Sequence, residues 1–147
     1  MYKNTIRKEA INLNHLYKEF LISDDKSLIN MDTVCKFLSR SHWANQRPKE
    51  TIHKSIQNSV CFGIYDNKRQ VGFARIVTDW ATIYYLCDVF IDEEYRGRGL
   101  GKKLVEFITK EFEGIGGILR THDAHELYEQ YGFIKDTERF MNRLVKR

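Results

Sequence analysis

Proline and cysteine are scarce in this chain. One proline, Pro48, and three cysteines, Cys35, Cys61 and Cys87, occur in 147 residues. No Pro-, Ser- or Gly-rich tract marks a linker, and no internal repeat or low-complexity stretch interrupts the sequence. A single domain over residues 1–147 with short connections is therefore expected. The cysteines are odd in number, widely spaced and set in apolar sequence, which argues against a disulfide framework or a metal cluster and for buried thiols in a reducing compartment. Also missing are an apolar run of about 18 residues, a signal peptide and a lipidation motif, so a soluble, cytoplasmic protein without a membrane partner is expected. Charge of one sign is scarce too. Twenty-four Lys and Arg face twenty Asp and Glu, a net charge of +4, without the strong basic excess of a dedicated nucleic-acid binder.

What is present is core-forming sequence. With 42% hydrophobic and 13% aromatic residues, a chain of this length buries roughly 68–70% of its unfolded surface and needs no covalent staples. Residues 1–16 are ambiguous between a helix (Ile6, Ala10, Leu13 and Tyr17 share helical spacing) and an N-terminal extension. Tyr17 to Ser23 reads as a strand. A helix follows, with Met31, Val34, Cys35 and Leu38 on one face and Asn30 as its N-cap; a second starts at Pro48 and carries Ile52 and Ile56. The period then changes. "SVCFGIYD" and "QVGFARIVTD" read as a hairpin joined by polar "DNKR", and "ATIYYLCDVFID" as a longer buried strand. Helical spacing returns in Leu100, Leu104, Ile108 and Phe112, ending at Gly114. A short strand "GILR", a helix begun by Asp123 with Glu126 in a capping box and ended by Gly132, and a closing strand "FIKDTERFMNRL" complete an α/β, or α+β, three-layer domain.

Between the long strand and the Leu100 helix lies "YRGRGLGKKL". Glycines allow positive φ and close backbone approach, and a helix N-terminus attracts anions, so the segment points to a phosphate-bearing ligand. Two familiar phosphate loops fail on spacing. Arg96 stands where a P-loop needs its first glycine, and Lys103 stands where it needs a magnesium-binding hydroxyl. A dinucleotide fingerprint would put its third glycine at Lys102. The pattern that fits is Arg-x-x-Gly-x-Gly, at Arg96, Gly99 and Gly101, and a second element, "DAHELYEQYGF", supplies Ala124, Leu127, Tyr128, Gly132 and Phe133.

On these two motifs the chain resembles the GNAT superfamily of N-acetyltransferases. The specific motifs lie within residues 86–133, and the element order matches from Tyr17 onward. The resemblance implies a mixed, mostly antiparallel sheet whose central parallel strands splay apart, flanked by helices. It implies acetyl-CoA as co-substrate, its pantetheine along Val89, Phe90 and Ile91 and its pyrophosphate on the loop Arg96, Gly97, Arg98, Gly99, Leu100, Gly101 and Lys102, with a backbone N–H near Val89 facing the thioester oxygen. Tyr128 matches the tyrosine that protonates the leaving thiolate in many members; packing against the cofactor is its plainer role, and Tyr131 suits packing beside Gly132.

Asp88 interrupts an otherwise apolar strand, where burying a carboxylate is costly without a role or partner. Substrate ammonium binding, water-mediated deprotonation and an internal hydrogen bond are all open to it. Acceptor contacts in such folds come from the first two helices and their loop, here Trp43 and Arg47, with Arg75, Asp79 and Tyr85 on neighbouring strands. Asp79 and Asp88 with Tyr84 and Tyr85 would suit a cationic amine. His122, Asp123 and His125 precede Tyr128, but no second cluster completes a metal site. Thr121 departs from the family, where asparagine is common.

The expected activity is transfer of an acetyl group from acetyl-CoA to a primary amine of a small molecule or protein by direct attack. A catalytically silent acyl-CoA sensor is the alternative. A nucleic-acid module is disfavoured, because no aromatic platform flanks the loop. The acceptor and the general base are not identified, and the oligomeric state stays open, with a homodimer among the options.

Overall fold

The structure, a computed structural model, describes residues 13–146; the readings on residues 1–12 fall outside them. The run from Tyr17 to Ser23 is not one strand. A turn at Lys18, whose φ is 52°, folds β1 (Asn14–Tyr17) back onto β2 (Phe20–Ser23). Helix α1 (Met31–Ser39) starts where the cap was expected: the Asn30 side chain accepts a hydrogen bond from the Thr33 N–H at 3.0 Å. Helix α2 (Lys49–Gln57) begins just after Pro48, whose missing N–H costs nothing there.

Strands β3 (Val60–Asp66) and β4 (Arg69–Thr78) form the expected hairpin, with Asn67 in the left-handed turn conformation that asparagine tolerates. Strand β5 (Ile83–Ile91), helix α3 (Leu100–Glu111), strand β6 (Gly116–Leu119) and helix α4 (His125–Glu129) follow. The sheet runs β1-β2-β3-β4-β5-β6 in chain order; β1 to β5 are antiparallel neighbours, and β5 with β6 is the parallel pair.

Two apolar layers sandwich this sheet. On one face Leu100, Leu104, Ile108 and Phe112 pack onto Phe20, Ile22, Phe62, Ile64, Ile76 and Leu86. Full burial of the Leu100, Leu104 and Ile108 side chains contributes roughly 5–9 kcal/mol as an upper bound. On the other face Val34, Phe37, Leu38, Ile52 and Ile56 cover Cys61, Phe73 and Phe90. The three cysteines are unpaired.

Strand β5 contributes to both layers, and the reason is a bulge. Phe73 pairs with Phe90 and Arg75 with Cys87, so β5 holds one residue more than β4 between those pairs. Asp88, with φ at 52°, is part of that excess. A one-residue insertion reverses the alternation of side chains, which is why Leu86 faces α3 while Phe90 faces α1.

Two local expectations differ from the fold. Helix α4 starts at His125 rather than Asp123, without a side-chain cap; instead the Thr121 hydroxyl accepts from the Ala124 N–H at 3.0 Å. The closing strand does not form: residues 133–146 lie outside any helix or strand, and beyond Phe133, which packs on the core, their apolar side chains are exposed.

Candidate active site

Strands β5 and β6 stay paired only from Ile83 with Gly116 to Leu86 with Leu119. Beyond that point β5 runs on to Ile91 with no β6 partner, and the strands part. A cleft of about 500 Å³ opens there. Its walls are Val89–Ile91, the loop at Tyr95, Arg96, Gly97 and Gly99 with the start of α3 at Leu100 and Gly101, the α1–α2 loop at Arg40 to Trp43, and Asp123, Ala124, Leu127 and Tyr128. Such a crevice at the carboxyl end of splayed parallel strands is where α/β sheets bind ligands.

The glycine loop is braced from within. Asp92 accepts the Glu94 N–H at 3.0 Å and starts the turn, while the buried Tyr95 donates its hydroxyl to Asp66 at 2.9 Å. Arg96 donates from Nε to the Ile91 carbonyl at 3.0 Å and lies over the Phe90 ring, tying loop to strand. Arg98 stacks on Tyr95 at 4.8 Å. Gly97 and Gly99 have φ of 80° and 78°, a region that side-chain-bearing residues disfavour. Gly99 stands at the N-cap of α3 with no side-chain cap bond, and the first turn carries no acidic residue. The leading amides of α3 and the positive end of its dipole thus remain available to an anion.

Tyr128 closes the opposite wall. It is buried, its ring meets Phe133 edge-on at 6.0 Å, and its hydroxyl makes no hydrogen bond to the described residues. Burial, with a smaller contribution from the Asp123 carboxylate, pushes its phenol up to about 12. The hydroxyl is a donor at any ordinary pH.

Asp88 is fully engaged. Its carboxylate accepts from Arg75 Nε at 2.8 Å, from Arg47 at 2.8 Å and from Trp43 Nε1 at 3.0 Å. Arg75 also donates to the Ser59 hydroxyl at 3.1 Å. Burial alone would raise the Asp88 carboxyl; the Arg75 and Arg47 guanidiniums together outweigh it and hold the group below the usual carboxylate range. Trp43, Arg47 and Arg75, each read from sequence as an acceptor contact, therefore converge on this one side chain, and through it the α1–α2 loop is moored to the β5 bulge.

The remaining sites sort by position. Val89, Phe90, Ile91, Arg96, Gly97, Gly99, Leu100, Gly101, Trp43 and Tyr128 share the cleft, while Arg98 and Lys102 flank the loop without lining it. Asp79 and Tyr85 lie apart. The Asp79 carboxylate caps its own turn, taking the Thr82 hydroxyl and the amides of Ala81, Thr82 and Ile83, which hold its pKa low. Tyr85 accepts from Arg120 at 3.0 Å. Leu127, from the second motif, lines the cleft as well, while Arg40, Ser41 and His42 line it without having been singled out from the sequence. His42 meets the His122 ring at 5.9 Å across eighty residues of chain, and no sequence spacing signals that meeting.

Residues 57–135, more than half of the chain, match the family model described as an acetyltransferase (GNAT) domain. The chain belongs to the GNAT acetyltransferases. A GNAT-family crystal structure from Xanthomonas campestris pv. campestris shares 37% identity at a TM-score of 0.81, over 86% of this chain and 93% of that one. A provisionally named acetyltransferase of Gibberella zeae is 27% identical over 83% of this chain and 82% of its own length. An uncharacterized N-acetyltransferase of Gracilaria tenuistipitata var. liui is 31% identical, and the chain spans 76% of itself and 66% of that relative in the match.

This GNAT domain is thus an acetyl-CoA-dependent acyltransferase. The left-handed glycines and the uncapped start of α3 fit the pyrophosphate of that co-substrate. Among the described residues no group of three or more His, Cys, Asp or Glu side chains could hold a metal ion, and no helix is long and apolar enough to cross a membrane.

Proposed function

We propose that this GNAT domain transfers acetyl groups to a primary amine of a small molecule or protein by direct attack, with Tyr128 facing the leaving sulfur. The observation that carries this reading is the cleft itself. One opening joins an unpartnered strand end, an anion-ready helix start and a buried phenol whose hydroxyl is uncommitted.

Bound acetyl-CoA supplies the activated thioester; the chain supplies placement and proton handling. Val89–Ile91, unpaired toward β6, offers backbone donors and acceptors to an extended ligand, including an N–H for charge developing on the carbonyl oxygen. The Gly97–Lys102 segment holds the phosphates. As the amine nitrogen bonds to the carbonyl carbon and the carbon–sulfur bond breaks, Tyr128 donates toward sulfur. With its phenol near 12 and a free thiol near about 8.5, complete proton transfer to a solvated thiolate would be uphill by about 5 kcal/mol. Burial in the same cleft raises the thiolate as well and narrows that gap. Tyr128 therefore works first as a hydrogen-bond donor and yields its proton only as sulfur becomes basic.

Asp88 serves as a positioning residue, since each of its oxygens already accepts at least one hydrogen bond, Oδ1 from Trp43 and Oδ2 from Arg47 and Arg75. The proton shed by the amine passes instead toward His42, which lines the cleft and whose ring meets that of His122; neither ring makes a hydrogen bond among the described residues.

The test is calorimetric titration with acetyl-CoA, followed by an amine panel read out as released CoA thiol. Binding with turnover on some amine is expected. Absence of binding at high micromolar acetyl-CoA overturns the site, and binding without turnover on any amine turns the reading toward a silent sensor.

A further inference from the structure

A second cavity, about 480 Å³ against about 500 Å³ for the cleft, lies between α1 and α2. One side of α1 supplies Asp32, Cys35, Lys36 and Ser39, at the i, i+3, i+4, i+7 spacing that aligns side chains along a helix. Asn45 and Arg47 come from the connecting loop, and Lys49 and Ile52 from the start of α2. Cys35 and Ile52 are buried and give the cavity an apolar floor; the other lining groups are polar.

The polar groups are electrically unbalanced. Lys36, Arg47 and Lys49 stand against a single carboxylate, Asp32, which leaves three positive charges to one negative. Neither lysine nor Asp32 forms an ion pair among the described residues. Arg47 spends one N–H on Asp88, at 2.8 Å, and its other guanidinium N–H groups meet no described partner, although the side chain is only 17% exposed. Largely buried donors left unused carry a desolvation cost that a bound acceptor recovers. Lys49 and Asp32 both act on the Cys35 thiol, so these groups surround one small volume. Burial raises that thiol, which makes Cys35 a neutral wall rather than a nucleophile.

Charge selects the ligand. A phosphate monoester carries about −1.5 to −2 at pH 7 and presents three acceptor oxygens, so it matches both the excess charge and the three cations. A single carboxylate leaves one positive charge uncompensated. The rest of the volume, with the Ser39 hydroxyl and Asn45 amide beside it, suits a small hydroxylated body.

We propose that this cavity binds a small phosphate monoester, with its phosphate on Lys36, Arg47 and Lys49, and that the filled site steadies the Trp43 loop through Arg47. A planar guanidinium can hold Asp88 with one N–H and a phosphate with others. Asp88 in turn accepts from Trp43 Nε1 at 3.0 Å, and Trp43 lines the cleft. One side chain thus joins the cavity to the cleft wall. By linkage, any cleft ligand that needs an ordered Trp43 loop gains affinity when the phosphate is bound.

The test needs no acetyl transfer. Backbone amide and tryptophan indole NMR shifts of the full chain are followed during titration with glycerol 3-phosphate, with glycerate as its carboxylate counterpart and glycerol as the neutral control. Saturable binding with Kd below about 1 mM is expected for the phosphate alone. The amides of 32–39 and 45–52 and the Trp43 indole should move, while the Trp80 indole stays still. Lys36→Glu combined with Lys49→Glu is expected to weaken binding at least about tenfold with unchanged far-UV circular dichroism. Asp32→Asn should tighten it about two- to fivefold, because the opposing charge is gone. The proposal is overturned by an unsaturable response, by shifts confined to 97–102 (the glycine loop then taking the phosphate), by equal affinity for glycerate, or by undiminished binding in the double variant. A filled cavity with an unmoved Trp43 indole overturns the link to the cleft. The titration is read on wild-type protein, so it decides the matter even where a variant fails to fold.

Discussion

Replacing Asp88 by asparagine separates a positioning role from a chemical one. Asparagine tolerates the left-handed φ of 52° at this bulge, so the substitution removes charge without adding much backbone strain. It leaves the guanidiniums of Arg47 and Arg75, whose side chains are only 17% and 13% exposed, without a counter-charge. Stripping one partner from a buried ion pair costs about 3–5 kcal/mol, and because asparagine still offers one acceptor the lower end, about 3 kcal/mol, applies. For a chain of this length that is a fall in Tm of roughly 6–12 °C.

The dependence on pH has a definite sign. The folded Asp88 carboxyl is held below its value in the unfolded chain, so its stabilisation is full above about pH 4 and fades as pH falls through the folded pKa. The gap between wild type and Asp88→Asn should therefore narrow in acid. The assays are thermal unfolding between pH 3 and 8 and steady-state kinetics at neutral pH. A mooring role raises KM for the amine, because the Trp43–Arg47 loop loosens, and leaves kcat within about tenfold; a general base would cost about 10²–10⁴ in rate. An Asp88→Asn variant that melts with wild type but loses a hundredfold in kcat would refute the mooring argument.

Three further outcomes are expected. Tyr128→Phe should lower kcat by about 10–100-fold while acetyl-CoA affinity by calorimetry stays level, and unchanged turnover removes the donor role. Gly99→Val must hold a β-branched residue at φ 78° with its Cβ about 3.2 Å from the Tyr17 hydroxyl, so acetyl-CoA affinity should fall by at least about tenfold, or 1.4 kcal/mol. Normal affinity there contradicts the placement of the phosphates. Asn30→Ala removes the α1 cap and should cost about 1 kcal/mol, seen as a Tm lower by about 2–4 °C with binding untouched.

Much of the fold was legible from local signals. The Asn30 cap, the Pro48 helix start, the β3–β4 hairpin and the periodic face of α3 follow from interactions among residues close in sequence. Misreadings fell where tertiary context decides. Tyr17 to Ser23 is apolar enough for one strand, yet the chain reverses at Lys18. Residues 134–145 carry strand-like sequence, yet their apolar side chains stay exposed and they pair with no strand among the described residues. The glycine loop and the Tyr128 segment pointed to their ligand because a phosphate-binding turn is local chemistry, written in a few consecutive residues.

The amino-acid order by itself determined α1 with its Asn30 cap, the start of α2, the β3–β4 hairpin and α3, because each depends on contacts a few residues long; the co-substrate followed from the resemblance of two short motifs to the family. Only the tertiary structure decided what Asp88 touches. A carboxylate on an apolar strand is compatible with catalysis, ammonium binding or anchoring until its neighbours are known. The neighbours are Trp43, Arg47 and Arg75, brought from separate parts of the chain, and three donors within 3.0 Å leave the buried carboxylate little freedom. The meeting of His42, in the cleft lining, with His122 is of the same kind, a long-range contact that packing creates and spacing cannot encode.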